Sequence, residues 1–274
     1  MPGDDDGDDV PDLVEVLIGT DPASADTDGD GLGDGREVKT HHTDPVKADT
    51  DGDTLTDGDE VNTHRTDPVR LDTDGDTLTD GDEVKTQLTD PVRADTDGDE
   101  LGDGIEVNGL PGTTCRSNPR SKDTDHDLLL DGSEYQGFKI GKRVKTSRKA
   151  STLIGVVHTN PCAADTDGDG LKDGREVKGK KVRQLIVTQG PDYRLRRVFS
   201  NPMKADTDGD GLTDRQEYTG SANKAYGRHK TDPLNYDTDG GRIKDGREVK
   251  LGSDPADARS APSRTGSHPA LRWG

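Results

Sequence analysis

The string Asp-Thr-Asp-Gly-Asp starts at Asp26, Asp49, Asp72 and Asp95, each 23 residues after the one before, and starts again at Asp165 and Asp206. A fixed period of this length means that one local unit is used over and over, each copy leaning on its neighbours. Variants begin at Asp123, where His126 replaces the glycine, and at Asp237, where Gly241 replaces the third aspartate. A ninth copy stands at the N-terminus, with Asp4, Asp6, Asp8, Asp12 and Glu15 at the same spacing.

Each copy is a 12-residue loop. Position 1 is Asp4, Asp26, Asp49, Asp72, Asp95, Asp123, Asp165, Asp206 or Asp237. Position 3 is Asp6, Asp28, Asp51, Asp74, Asp97, Asp125, Asp167, Asp208 or Asp239, and position 5 is Asp8, Asp30, Asp53, Asp76, Asp99, Asp127, Asp169 or Asp210. Position 7 is apolar throughout: Val10, Leu32, Leu55, Leu78, Leu101, Leu129, Leu171, Leu212 and Ile243. Position 9 is Asp12, Asp34, Asp57, Asp80, Asp103, Asp131, Asp173, Asp214 or Asp245. Position 12 is Glu15, Glu37, Glu60, Glu83, Glu106, Glu134, Glu176, Glu217 or Glu248. A Ser/Thr-Asp/Asn-Pro triplet follows every copy, and wherever another loop follows, its first aspartate lies four residues after the proline.

Composition says why such loops need help to fold. Hydrophobic residues make up 26% of the chain and aromatics 3%, against 34% charged, whereas an ordinary domain is about 45–50% apolar. Ordering a residue costs roughly 1–2 kcal/mol of conformational entropy, which so small an apolar fraction cannot offset. The charge is also lopsided. Residues 1–106 hold 34 acidic and 7 basic residues, and residues 107–274 hold 23 acidic and 30 basic. The acidic part repels nucleic acid and anionic membranes and attracts cations. No apolar run is long enough to span a bilayer. Met1-Pro2-Gly3 leads straight into Asp4-Asp5-Asp6 without the pattern of a signal peptide, so localisation has to be read from chemistry.

The spacing selects the cation. Calcium takes six to eight oxygens at about 2.3–2.6 Å. Carboxylates at positions 1, 3 and 5 converge as the backbone curls, a position 7 carbonyl adds an oxygen, and the glutamate at 12 closes the site with two. Magnesium prefers a tighter octahedron that keeps its waters, and zinc prefers Cys or His. The flanks are not those of an EF-hand: a proline four residues ahead leaves no room for an entering helix. The turn glycine at position 6 is present only as Gly31, Gly170 and Gly211. A short helix is expected after position 8, with Thr56 and Thr79 as N-caps and the following acids at its positive end.

These residues resemble thrombospondin type 3 calcium-binding repeats in their bacterial form, as in Asp165-Thr-Asp-Gly-Asp-Gly-Leu-Lys-Asp-Gly-Arg-Glu176 followed by Ser200-Asn-Pro-Met-Lys-Ala-Asp206. The resemblance covers residues 4–255. The long inserts after Glu134 and Glu176 resemble those in the calcium module of binary-toxin protective-antigen components, although no pore-forming or receptor-binding domain fits in this chain. The family implies paired calcium ions, one or two per loop. The first would use positions 1, 3, 5, 7 and 12. The second would share 3, 5 and 12 and add carbonyls near the next triplet and the position 9 aspartate of the next loop. Three features depart from it: Gly241 at position 5, Asp9 at position 6, and a last loop without a successor.

The expected fold is a series of irregular, calcium-organised loops with short helical turns and one or two small β-hairpin inserts, forming an elongated, solenoid-like rod. Its expected parts are an array over 4–106, continued repeats with basic inserts over 107–255, and a flexible tail over 256–274. Segment 135–158 sets Lys139, Lys142, Arg143, Lys145, Arg148 and Lys149 between apolar stretches. Segment 178–199 reads as a hairpin, Val182 to Thr188 and Tyr193 to Phe199, with Tyr193, Leu195, Arg197 and Phe199 on one face. Those inserts serve either local charge balance with a small satellite core, or the grip of an anionic partner such as a surface glycan or cell-wall polymer. Cys115 and Cys162 read either as free or structural thiols or as a disulfide, since both lie beside Asn-Pro steps. The seven histidines share no repeated position, His41 and His42 are expected to face solvent, and no catalytic constellation emerges. The functional expectation is a non-enzymatic, extracellular or cell-surface calcium-binding spacer, stalk or self-associating filament subunit. The alternatives are a calcium-dependent adhesion module that uses the basic hairpins, or the calcium module of a larger toxin or surface protein. Neither nucleic-acid binding nor membrane insertion is expected.

Overall fold

Every acidic loop runs into a short helix, and each helix starts on the position 9 aspartate. The structure, a computed structural model, describes residues 3–261. Its contacts divide the chain into two units, Met1–Lys122 and Asp123–Gly274.

The first unit holds α1 (Asp12–Ile18), α2 (Asp34–Arg36), α3 (Asp57–Asp59), α4 (Asp80–Asp82) and α5 (Asp103–Asn108). An acid at a helix start meets the positive end of the backbone dipoles. Thr56 and Thr79 cap α3 and α4 as expected, accepting from the backbone N–H of Asp59 and Asp82. Helices α2, α3 and α4 each run on into a widened π turn, over Glu37–His41, Glu60–His64 and Glu83–Gln87. Each ends on a left-handed residue, His42, Arg65 or Leu88. Little apolar burial supports this unit. Val10, Leu32, Leu55, Leu78 and Leu101 are buried one per loop, with Leu110 and Cys115 at its end.

The second unit contains α6 (Asp131–Gln136), α7 (Asp173–Lys178), α8 (Asp214–Thr219) and α9 (Asp245–Leu251). Two antiparallel hairpins interrupt them: β1 (Phe138–Lys145) with β2 (Ser151–Val157), and β3 (Lys180–Ile186) with β4 (Tyr193–Val198). The first strand of each hairpin bulges, between Ile140 and Arg143 and between Lys181 and Gln184. The second bulge corrects the expected face of β4. Leu195 and Val198 turn inward together while Tyr193 and Arg197 are exposed, because the extra residue breaks strict alternation. Leu195 and Val198 join Val182, Ile186, Leu171, Tyr218 and Ala256 in a small apolar cluster.

The hairpins are anchored to later segments. The Lys145 N–H donates to the Leu234 carbonyl at 2.7 Å, and the Tyr236 N–H donates to the Lys145 carbonyl at 3.1 Å. Val187, just past β3, donates to the Ala256 carbonyl and accepts from the Ala258 N–H, both at 2.9 Å. Within the expected tail, Ala256 is buried and its neighbours are paired with Val187. Residues 262–274 of that expectation lie outside the described residues. Neither Cys115 nor Cys162 is a free thiol; both are disulfide-bonded, which corrects the free-thiol reading. His42 is exposed as expected, whereas His41 is half-buried. Among the described residues no helix is long and apolar enough to cross a membrane.

Candidate metal centres

All nine loops make the same turn. Positions 4 and 6 both have positive φ in every copy, including the non-glycine residues Asp9, Thr54, Thr77, Glu100, Leu128 and Arg242 at position 6 and His126 at position 4. The turn thus forms without its usual glycine, and the loop's own side chains brace it. Asp49 accepts from the Gly52 N–H at 2.6 Å and from the Thr54 N–H at 3.1 Å. Asp51 Oδ1 accepts from the Asp53 N–H at 3.1 Å, and Asp53 Oδ1 from the Leu55 N–H at 2.7 Å. Asp51 therefore spends one oxygen on the backbone and keeps the other, whereas Asp53 gives its second oxygen to the Gly81 N–H of the next loop. The three leading carboxylates converge: Asp4, Asp6 and Asp8, Asp26, Asp28 and Asp30, Asp49, Asp51 and Asp53, and Asp72, Asp74 and Asp76 each bring ligand atoms within 4.8 Å of one another.

The glutamate at position 12 closes the loop from the first turn of its helix. In most loops its Oε1 is held by the Ser/Thr of the following triplet: Thr43 donates to Glu37, Thr66 to Glu60 and Thr89 to Glu83, each at 3.0 Å, and Ser200 donates to Glu176 at 2.7 Å. Its Oε2 is buried without a hydrogen-bond partner in Glu15, Glu37, Glu60, Glu83, Glu134, Glu176, Glu217 and Glu248. Position 3 repeats the pattern in all nine loops, where Oδ2 of Asp6, Asp28, Asp51, Asp74, Asp97, Asp125, Asp167, Asp208 and Asp239 is buried and unpartnered. A buried, unpaired carboxylate oxygen is costly. The same two orphans recurring in loop after loop fit a cation between them.

Position 9 faces two ways. Within its own loop Asp57 accepts from the Thr50 N–H at 2.8 Å and from Thr50 Oγ1 at 2.6 Å, and Asp80 is held by Thr73 in the same manner. It also lies close to the loop before. Asp8, Glu15 and Asp34, which are positions 5 and 12 of one loop and position 9 of the next, bring ligand atoms within 4.8 Å of one another. Burial raises Asp80, and the charge of Asp53 in the preceding loop raises it further. Asp245 is likewise raised by burial and then by Asp210 and Asp208.

Without a cation this crowding favours protons. Burial first, then the charges of the loop's own aspartates, pushes Glu37, Glu60 and Glu83 up to about 8, against an opposing hydrogen bond from the triplet threonine. Asp28, Asp51 and Asp74 are pushed up to about 6 by the same burial.

Eight of the predicted position 7 side chains are buried, and Ile243 is half-buried. Two sets of braces were not read from the sequence. One is the triplet Ser/Thr that holds the glutamate. The other is the position 2 threonine, which accepts from the preceding triplet (Asp44 N–H to Thr50 Oγ1, 2.9 Å) and passes that tie on to Asp57. Their recurrence in register with the acids was the available signal.

Carboxylate loops closed by a glutamate from their own short helix, and approached by an aspartate of the next loop, define a class of cation-organised repeats. The chain carries repeats of one such family: the family described as the bacterial TSP3 repeat matches residues 26–48, 49–70, 72–94, 165–179, 206–219 and 237–258. The loops beginning at Asp4, Asp95 and Asp123 lie outside those matches and share the same left-handed positions. No curated protein and no solved structure matches the chain. The family is a structural, calcium-binding module rather than an enzyme family, and the clustered acids of this chain fit that ion.

Proposed function

We propose that each loop takes one or two calcium ions and that loading orders the chain as an elongated, non-enzymatic spacer, stalk or filament subunit outside the cell. Positions 1, 3, 5 and 12, with the carbonyl of position 7, hold the first ion. Positions 3, 5 and 12 with position 9 of the next loop hold the second. The observation that carries this reading is the pair of orphaned buried oxygens, position 3 Oδ2 and position 12 Oε2, repeated along the chain. Calcium would supply the charge that lets these acids stay ionised while buried. An extracellular setting agrees with oxidised cysteines. The test compares metal-free and calcium-loaded chain by X-ray scattering and circular dichroism. Calcium should compact the chain and raise its ordered content, and magnesium at the same concentration should do so poorly. Equal compactness with and without metal would overturn the reading.

A second reading, calcium-dependent adhesion, draws on one cleft. Lys181, Arg183, Arg194, Arg196 and Arg197 line a groove of about 480 Å³ along the second hairpin. Other insert cations are spent internally, Lys142 over Phe199 at 3.8 Å and Lys180 over Tyr218 at 4.3 Å. Replacing Arg183, Arg194 and Arg196 with Gln should abolish retention on a sulfated polysaccharide at physiological salt if this reading holds.

A further inference from the structure

The last loop lacks two things that other loops have. Gly241 stands at position 5, and residues 256–274 hold no further loop to bring a position 9 aspartate. Its remaining acids are nonetheless set as elsewhere. Asp239, Glu248 and Asp237 are 1%, 2% and 4% exposed. Asp239 Oδ2, Glu248 Oε2 and Asp237 Oδ1 are buried without a hydrogen-bond partner. Three buried, unpartnered oxygens on mutually repelling acids point to a cation in this loop as well.

What fills the gap is the segment after the final triplet. A Cβ on Gly241 would sit 2.8 Å from Asp239 Oδ1 and 3.6 Å from Ala258 Cα, so Ala258 and the segment leading to it lie beside the place where a position 5 side chain would project. Val187 holds them there through its two backbone bonds. Asp254 fixes the approach. Its Oδ1 accepts from Asn223 Nδ2 at 3.0 Å and from the Ala256 N–H at 3.1 Å, and its Oδ2 pairs with His229 Nδ1 at 2.7 Å. Asp254 is thereby a positioning residue with both oxygens engaged. Asp257 is half-buried, and its charge reaches Asp239. One of its oxygens accepts from the Arg259 N–H at 3.0 Å.

We propose that Asp257 supplies the carboxylate that Gly241 lacks, so that Asp237, Asp239, Glu248 and Asp257 together hold a divalent cation of calcium's size. The segment 253–258 closes the array in place of a further repeat. This rests on the reading of the other loops as calcium sites.

The test uses the full chain and terbium, an oxygen-seeking ion whose emission is excited by nearby tyrosine. Tyr236 directly precedes Asp237, and the Tyr193 hydroxyl donates to the Thr238 carbonyl at 2.8 Å. No aromatic residue precedes Tyr135, so the loops of the first unit stay dark. The part of the signal lost in the Tyr193→Phe/Tyr236→Phe double variant belongs to the last loop. Asp257→Asn keeps the bond from the Arg259 N–H and removes only the charge. It should weaken that part of the signal by roughly ten-fold or more, while calcium bound by the other loops, measured by equilibrium dialysis, stays unchanged. Asp257→Glu should retain most of the affinity. An unchanged last-loop signal in Asp257→Asn overturns the proposal and leaves the calcium reading standing. So does an equal loss in Asn and Glu variants accompanied by faster amide exchange at Ala258, which would make Asp257 merely structural. A wild-type chain that takes up no calcium by dialysis overturns both.

Discussion

The glutamate at position 12 is the residue on which each loop turns. It is fully buried in most copies, fixed by a triplet hydroxyl through one oxygen and unsatisfied at the other. Its titration gives a signed expectation. In the metal-free fold Glu37, Glu60 and Glu83 sit near 8 instead of 4.5. The fold then holds protons that the unfolded chain releases, so the stability they contribute is full below about pH 4.5 and is lost as pH rises towards 8. Metal-free chain should therefore show its greatest ordered content in mild acid and lose it by pH 8, followed by circular dichroism. With calcium the trend should reverse, since loading requires the carboxylates deprotonated. A flat profile in both conditions would count against the burial described. A second expectation concerns position 6. Leu128 has φ of 87° and is largely exposed, a conformation that costs a side-chain-bearing residue about 1–2 kcal/mol. Leu128→Gly should raise the thermal midpoint of the calcium-loaded chain, and Gly31→Leu, with open space around it, should lower it. The opposite order would show that the left-handed turn is not what position 6 selects.

At the scale of the element, the repeat is a loop and a helix that cannot be separated from the loop before. The Gly58 N–H donates to Asp30 Oδ2 at 2.7 Å, Gly81 donates to Asp53 and Gly104 to Asp76 at 2.7 Å, always from position 10 to the preceding position 5. Lys39, Lys85 and Lys178 at position 14 cap the preceding position 6 carbonyls of Asp9, Thr54 and Leu128. The contact is mostly backbone, which explains glycine at position 10: a Cβ on Gly81 would collide with the Asp53 carbonyl oxygen. Arg215 occupies position 10 after the second insert and still donates to Asp169 Oδ2 at 2.6 Å, so the approach there admits a side chain. Gly81→Ala should cost roughly 1–3 kcal/mol of calcium-loaded stability and loosen two loops, Asp49–Glu60 and Asp72–Glu83. Asp80→Asn should likewise weaken calcium uptake in both. Titration calorimetry would resolve this, and an effect confined to the loop carrying the substitution would refute the coupling.

Across the whole molecule, the two units differ in what remains once metal is removed. The first unit buries about one apolar residue per loop, whereas the second has the cluster around Val182, Ile186, Leu195 and Val198. Chelation should therefore abolish amide protection over α2 to α4 and leave partial protection over β3 and β4. Hydrogen exchange read by mass spectrometry would check this. Equal loss in both units would mean that the hairpin cluster cannot stand without the loops.

The sequence by itself determined the loops. Their period, the acids at positions 1, 3, 5, 9 and 12, the apolar residue at 7 and the helix after Thr56 or Thr79 were all legible, because a calcium loop is a local object whose ligands lie within 12 residues. The second hairpin was legible for the same reason, from its alternation and its Gly-Pro-Asp turn. Only the tertiary structure decided what the loops lean on. That the glutamate is held by Thr43 or Ser200, that Leu128 adopts a glycine's conformation, and that a bulge turns Leu195 and Val198 inward depend on backbone geometry that residue types leave open. That Ala256 is buried and that Ala258 lies beside Gly241 depends on Val187, far away in the chain, and no periodicity reports a contact made once.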